Sequence, residues 1–214
     1  MTKPIGILGG TFDPVHNGHL RLALEVYQSC ALAEVRMIPL HTPSHRKPPF
    51  ASPEQRLKML SIAIHNIKGL TVDRRELQNP KVSFTVETLR SMRKEVGQQS
   101  LCLIMGMDSF QTLGSWHQWD SLLDYAHIIV AARPGTPIEF VDEKVAGFYT
   151  KNRTTELSDI HTQESGKILN TNSVELDISS TRIRELIAQK QDTHFLLPEN
   201  VISYIEEEEL YHRH

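Results

Sequence analysis

The sequence predicts an α/β protein, a parallel sheet with helices on both faces and a small helical segment at the C-terminal end. Strand-like apolar runs alternate with helical periodicity through most of the chain, the pattern of strand–helix–strand crossovers. Residues 101–105 (LCLIM) are apolar without alternation, as a strand covered on both faces requires. Residues 4–8 form another apolar run that passes through Gly9-Gly10-Thr11-Phe12-Asp13-Pro14-Val15-His16-Asn17-Gly18-His19 into a helical pattern. The first unit is therefore a strand, a glycine-rich turn and a helix. At 214 residues the chain is expected to form one domain over 1–214.

Hydrophobic content of 39% and charged content of 23% suit a globular chain with a full core. A net charge of −3 shows no basic excess, so nucleic acid is not expected as a partner. Cys30 and Cys102 are far apart and lack metal-ligand spacing, which predicts core thiols in a reducing compartment. No apolar run approaches membrane-spanning length, and residues 1–20 lack the apolar core of a signal peptide. A cytoplasmic protein without membrane association is expected.

In the first unit, two adjacent glycines would let the backbone approach a bulky anion. Free amides at the helix start favour negative charge there. His16 and His19 fall on one face of the first helical turn, able to donate hydrogen bonds and to carry positive charge beside a polyphosphate. Leu20, Ala23, Leu24 and Tyr27 give the helix its apolar face. Residues 34–40 read as a second strand, and residues 41–49 as a proline-rich loop carrying His45, Arg46 and Lys47.

Ser52, Pro53 and Gln55 make a capping box and a favoured first helical position. Leu57, Leu60, Ile64 and Ile67 are the expected buried face, with Gly69 as the stop. Residues 70–73 read as a short third strand. The next helix is expected to open at Ser83-Phe84-Thr85 under a Ser or Thr cap and to end near Gly97. After the fourth strand, Gly106-Met107-Asp108 places an acid where it could hold a ribose or cap a helix. Trp116-His117-Gln118-Trp119 is expected to open another helix, with Trp119 in the core. Residues 127–132 are the fifth strand, ending at Arg133.

Residues 136–166 lack a clear period and are expected to be an irregular, partly helical insertion. Residues 167–171 resume strand character. Ser179 or Ser180 should cap a helix with Ile183, Leu186 and Ile187 facing inward. Arg182 and Arg184 fall in its first turn, where cations make sense beside a bound anion. The helical part, residues 178–214, ends in a terminal helix carrying the solvated run Glu206-Glu207-Glu208-Glu209.

Gly-Gly-Thr-Phe-Asp-Pro-Val-His-x-Gly-His at residues 9–19 resembles the signature of the nucleotidyltransferases, and Ile178-Ser179-Ser180-Thr181-Arg182-Ile183-Arg184 resembles their second motif. The likeness runs nearly end to end and is strongest to the bacterial nicotinate-nucleotide adenylyltransferase family. It implies a Rossmann-like, doubly wound sheet with the first and fourth strands adjacent at the middle. It further implies transfer of the adenylyl group of ATP to nicotinate mononucleotide, with Mg²⁺ carried mainly on the ATP phosphates.

On that resemblance His16, His19 and Arg182 are the expected catalytic groups. Gly10, Thr11, Phe12, His16, His19, Gly106, Asp108, Ile178, Ser180 and Arg182 would bind ATP. Thr11, His45, Thr85, Trp116 and Arg133 would bind the mononucleotide. Phe84 departs from the family's tyrosine, so that hydroxyl is lost. The chain lacks a Gly-x-Gly-x-x-Gly fingerprint and a Gly-Lys-Ser/Thr phosphate loop, which argues against a dehydrogenase and a P-loop kinase. An adenylyltransferase acting on nicotinamide mononucleotide or phosphopantetheine, and a non-catalytic nucleotide sensor, are the alternatives. A synthetase-like enzyme is disfavoured by the missing Lys-Met-Ser-Lys-Ser loop.

Overall fold

A computed structural model describes residues 2–41, 48–78, 84–132, 140, 142–172 and 176–212. Strands β1 (Ile5–Gly10), β2 (Glu34–Pro39), β3 (Leu70–Val72), β4 (Leu101–Gly106), β5 (His127–Ala132), β6 (Arg153–Thr154) and β7 (Ile168–Asn172) form one sheet. Its order is β3-β2-β1-β4-β5-β7-β6, and each neighbouring pair is parallel. Helices α1 (Asn17–Ser29), α2 (Pro53–Ala63), α3 (Thr85–Val96), α4 (Met107–Gln111), α5 (Glu143–Asn152), α6 (Leu157–Thr162), α7 (Ser180–Ala188) and α8 (Glu199–Glu207) accompany it. This is the parallel α/β sheet that the alternating pattern predicts, in the doubly wound order that the resemblance implies.

Both faces of β4 are buried because its side chains alternate between two cores. Cys102 and Ile104 pack with Ala23, Leu60, Ile183 and Ile205 on one side of the sheet. Leu101, Leu103 and Met105 pack with Leu89, Phe110 and Val145 on the other. Gly6 is tightly enclosed in β1: a Cβ there would lie 2.8 Å from Leu32 and 2.9 Å from Ile104.

The register positions the site. β1 pairs with β2 along its whole length, from Ile5↔Glu34 to Gly10↔Pro39. With β4 it pairs only from Ile5↔Leu101 to Ile7↔Leu103. Beyond that point β1 stays with β2 and β4 stays with β5, so a crevice opens between their carboxyl ends. Ligands of doubly wound sheets bind at such a switch point.

Several elements differ from expectation. The capping box of α2 forms as predicted, with the Gln55 amide on Ser52 Oγ (3.2 Å) and the Ser52 amide on Gln55 Oε1 (3.0 Å). Leu60 and Ile64 of its expected face are buried and Leu57 and Ile67 half-buried; Arg56, Met59 and Ala63 are buried as well, and the helix ends before Gly69. Gly69 instead enters β3 at φ +87, where a Cβ would strike the Tyr27 ring. The N-cap of α3 is Phe84, without a side-chain cap, while Ser83 lies outside the described residues. Trp116 does not open a helix; it lies between two short 3₁₀ turns, Leu113–Ser115 and Trp119–Asp124. The 136–166 stretch holds two helices and the edge strand β6, whose two residues are too few to leave a period.

Candidate active site

The cleft at the β1/β4 divergence has a volume of about 860 Å³, within the range of small-molecule sites. Gly9 and Gly10 are strand residues paired with Ile38 and Pro39, rather than the turn itself. A Cβ on Gly9 would enter open space, whereas one on Gly10 would lie 2.9 Å from the Phe12 ring. The turn is made by Phe12 at φ +51, a left-handed conformation costing about 1–2 kcal/mol in a non-glycine residue. Burial of the Phe12 ring, only 1% exposed, offsets that cost. Phe12 therefore shapes the loop, and only its backbone is available to a ligand.

The loop is pinned from several directions. Arg56, fully buried, donates to the carbonyls of Thr11 (2.7 Å), Leu40 (2.6 Å) and His41 (3.0 Å). Ser180 Oγ donates to the Pro14 carbonyl (2.9 Å), and Arg184 Nη1 to the Asp13 carbonyl (2.6 Å). Buried carbonyls without donors are costly, so these side chains hold the loop in one conformation. Sequence reasoning placed no role on Arg56, whose only signal was a cation on the apolar side of α2.

His16 is the N-cap of α1 and His19 is its third residue. Their rings stack with centroids 3.6 Å apart, and the edge of Phe12 meets His19 at 5.0 Å. The His16 amide donates to His19 Nδ1 at 3.3 Å, which leaves Nε2 of a neutral His19 as its N–H donor. Burial lowers the His16 pKa to about 4. Burial, and then the neighbouring His16, push His19 well below the ordinary histidine value. The expected positive charge is thus corrected: in the free protein both imidazoles are neutral donors at pH 7.

A second helix start faces the same space. Ser179 caps α7 by accepting the Arg182 amide at 3.2 Å, and Ser179, Ser180 and Thr181 line the cleft beside Ile178. The two arginines of that turn diverge. Arg182 is excluded from the described lining; its side chain is 60% exposed and pairs with Glu185 at 3.3 Å. Arg184 lines the cleft, stacks 4.7 Å over Phe50, and leaves its buried Nε without a protein partner among the described residues. The cation that this motif delivers to the cleft is Arg184, because at the helical period its side chain turns toward Asp13 while that of Arg182 turns to solvent.

On the β4 side, Gly106 and Asp108 line the cleft, and Asp108 is exposed in the first turn of α4. Phe84, Thr85, Thr88, Trp116 and His117 add a partly aromatic stretch to the lining. Phe84 packs on the His117 ring at 4.3 Å. Thr88 donates to Glu76 Oε1 at 2.5 Å, a buried pair that the sequence did not single out. His45 and Arg133 lie outside the described residues. The histidine pair, Thr11, Thr85, Gly106, Asp108, Trp116, Ile178 and Ser180 thus share one cleft.

Three carboxylates contribute to the described lining: Asp13, Glu76 and Asp108. Asp13 and Glu76 are buried and hydrogen-bonded within the protein. No cluster of three ligating side chains occurs among the described residues. Such a lining fits a hard divalent ion brought in on phosphate oxygens and water rather than held in a protein cage. No helix among the described residues is long and apolar enough to cross a membrane.

A doubly wound sheet with paired histidines between two helix starts at its switch point defines a nucleotide-handling protein of the nucleotidyltransferase class. The family model described as cytidylyltransferase-like matches residues 7–186. A protein of Aeromonas salmonicida (strain A449), described as "Probable nicotinate-nucleotide adenylyltransferase", is 46% identical over 99% of this chain and 98% of its own. One from Methylococcus capsulatus, described in the same words, is 43% identical over 97% of this chain and 99% of its own. The chain belongs to the nicotinate-nucleotide adenylyltransferase family within the cytidylyltransferase-like proteins. A solved structure titled Plasmodium falciparum nicotinic acid mononucleotide adenylyltransferase complexed with NaAD shares the fold, with a TM-score of 0.73 at 18% identity. It covers 99% of this chain and 98% of that one.

Proposed function

We infer that this protein transfers the adenylyl group of ATP to nicotinate mononucleotide, releasing pyrophosphate and forming nicotinate adenine dinucleotide in NAD biosynthesis. The observation that carries this reading is a single cleft lined by the stacked His16–His19 pair, the α7 start, Asp108, Thr85 and Trp116. That layout suits two nucleotides meeting at their phosphates.

The mononucleotide's 5′-phosphate oxygen attacks the α-phosphorus of ATP. The bond to the bridging oxygen breaks, and pyrophosphate leaves with the electron pair. A phosphate monoester with a second pKa near ~6 is already largely dianionic at neutral pH, so no general base is needed. Catalysis then rests on aligning two anions and stabilising charge at the transferred phosphoryl group.

Neutral His16 and His19 supply N–H donors to the α- and β-phosphate region. The amides of Thr11, Ser180 and Thr181, unpaired among the described residues, add further donors, and Arg184 adds a fixed cation for the leaving pyrophosphate. Asp108 accepts from the ATP ribose, with Gly106 and Ile178 beside the adenine. Trp116 stacks on the pyridine, and the free amides at the start of α3, at Thr85, receive its carboxylate. Mg²⁺, entering with ATP, neutralises phosphate charge. The test is a pyrophosphate-release assay with ATP and Mg²⁺ against nicotinate mononucleotide, nicotinamide mononucleotide and phosphopantetheine. Turnover confined to phosphopantetheine, or absent with all three, would overturn the reading.

A further inference from the structure

The C-terminal tail reaches back to the phosphate loop through one hydroxyl. Tyr211 is 6% exposed, and its Oη donates to Asp13 Oδ1 at 2.8 Å. The same carboxylate accepts the amides of Ala51 (Oδ1, 3.1 Å) and Phe50 (Oδ2, 2.8 Å). Asp13 lies in the loop that lines the cleft, and Phe50 lines the cleft beside it. Arg184 Nη1, bound to the Asp13 carbonyl, is 3.9 Å from Oδ2, and its guanidinium rests on the Phe50 ring. Asp13 thus joins the loop, the approach to α2, the cation of α7 and the tail.

We propose that Tyr211 is a positioning residue for adenylyl transfer, its hydroxyl fixing the Asp13 carboxylate so that Phe50 and Arg184 keep their places around the phosphates. The hydroxyl is a donor within a buried cluster, where removing one partner leaves an acceptor unmatched. The backbone amides of Phe50 and Ala51 can follow a rotated carboxylate, and the two groups they set, the Phe50 ring and the guanidinium on it, border the reacting phosphates. A small displacement of groups that align reactants lowers the rate far out of proportion to its size. The Met59 sulfur, 4.0 Å from the hydroxyl, is too weak an acceptor to compete.

This inference rests on the adenylyl-transfer reading, so wild-type turnover is measured first; its absence would count against that reading, not against Tyr211. The decisive variant is Tyr211→Phe, which keeps the ring in the core and deletes only the hydroxyl. Tyr204→Phe, half-buried on α8 and packed against the same core, is the control for loss of a tail hydroxyl. ATP affinity is read by calorimetry and kcat by pyrophosphate release, well below the melting temperature. The expected result for Tyr211→Phe is a loss of about tenfold in kcat/KM for ATP, with KM for the mononucleotide unchanged. Tyr204→Phe should match wild type. In Asp13→Asn, adding Tyr211→Phe should produce no further kinetic loss, because the hydroxyl acts through that carboxylate. A lowered melting temperature with unchanged kinetics would make Tyr211 a packing residue only. A KM for the mononucleotide raised as much as that for ATP would likewise overturn the proposal, as would additive losses in the double variant. Should Tyr211→Phe fail to fold, Asp13→Asn alone must show the same selective loss for ATP, and normal ATP kinetics in that variant would overturn it.

Discussion

The rings of His16 and His19 lie face to face, 3.6 Å apart and 23° from parallel, at the start of α1. Two imidazolium ions cannot hold that arrangement without strong repulsion, and burial already disfavours either charge. The pair is therefore stored neutral, with hydrogen-bond donors in place before any phosphate arrives.

This sets a pH dependence of stability. Unfolded, both histidines titrate near the ordinary value of 6.5; folded, His16 titrates at about 4 and His19 also lower. Between pH 6.5 and 4 the unfolded chain binds more protons, so stability falls as pH is lowered through that window and is undiminished above it. His16 alone accounts for up to about 3 kcal/mol at 1.36 kcal/mol per pKa unit. Urea midpoints measured from pH 7.5 to 4.5 should fall less steeply in His16→Gln than in wild type. Parallel curves would show that the rings titrate normally.

Arg182 and Arg184 are two residues apart and should behave oppositely. Arg184→Gln removes a cation held against the phosphate loop and is expected to lower kcat by about 10²–10³, the cost of one lost transition-state contact. Arg182→Gln removes a solvent-exposed partner of Glu185. Exposed pairs are worth about 1 kcal/mol or less, so activity should stay within about threefold. Single-turnover rates decide, and the reverse order would restore Arg182 to the site.

Trp116 is half-buried and borders the cleft. Stacking on an aromatic is worth about 1–3 kcal/mol per base, so Trp116→Ala should raise KM for the mononucleotide about tenfold. The KM for ATP should stay nearly unchanged. Steady-state kinetics on both substrates separate this from a core role, which would change both.

Selectivity between nicotinate and nicotinamide mononucleotides follows from the start of α3. The Thr85 amide stands at the start of α3 without a partner among the described residues, and open amides at a helix start favour a carboxylate over a neutral amide. Trp116 adds nothing to this, since its own amide donates to the Leu113 carbonyl at 2.9 Å. We expect kcat/KM to favour the nicotinate form by at least about a hundredfold, since unmatched polar groups discriminate strongly. A ratio near one under matched ATP and Mg²⁺ would show that the pocket does not read the carboxylate.

The elements with a strong period or a complete cap were legible. The Ser52–Gln55 capping box and the apolar β4 run each carry their physical cause within a few adjacent residues. Arg56 was not legible, because its partners are carbonyls at positions 11, 40 and 41 that become neighbours only when β1 and β2 pair. Nor could periodicity rank Arg182 against Arg184, since both fall in the same helical turn. The direction in which α7 leaves the sheet decides between them.

Alternating apolar periods, the two motifs and the order of strand and helix signals determined by themselves the α/β class and the cleft's main contributors. Those properties depend on contacts between residues close in sequence, or on side-chain chemistry that folding does not change. Only tertiary structure decided the neutrality of His16 and His19, the inward turn of Arg184 and the reach of Tyr211 to Asp13. Each depends on burial or on a contact between distant segments, and a local pattern carries no trace of either.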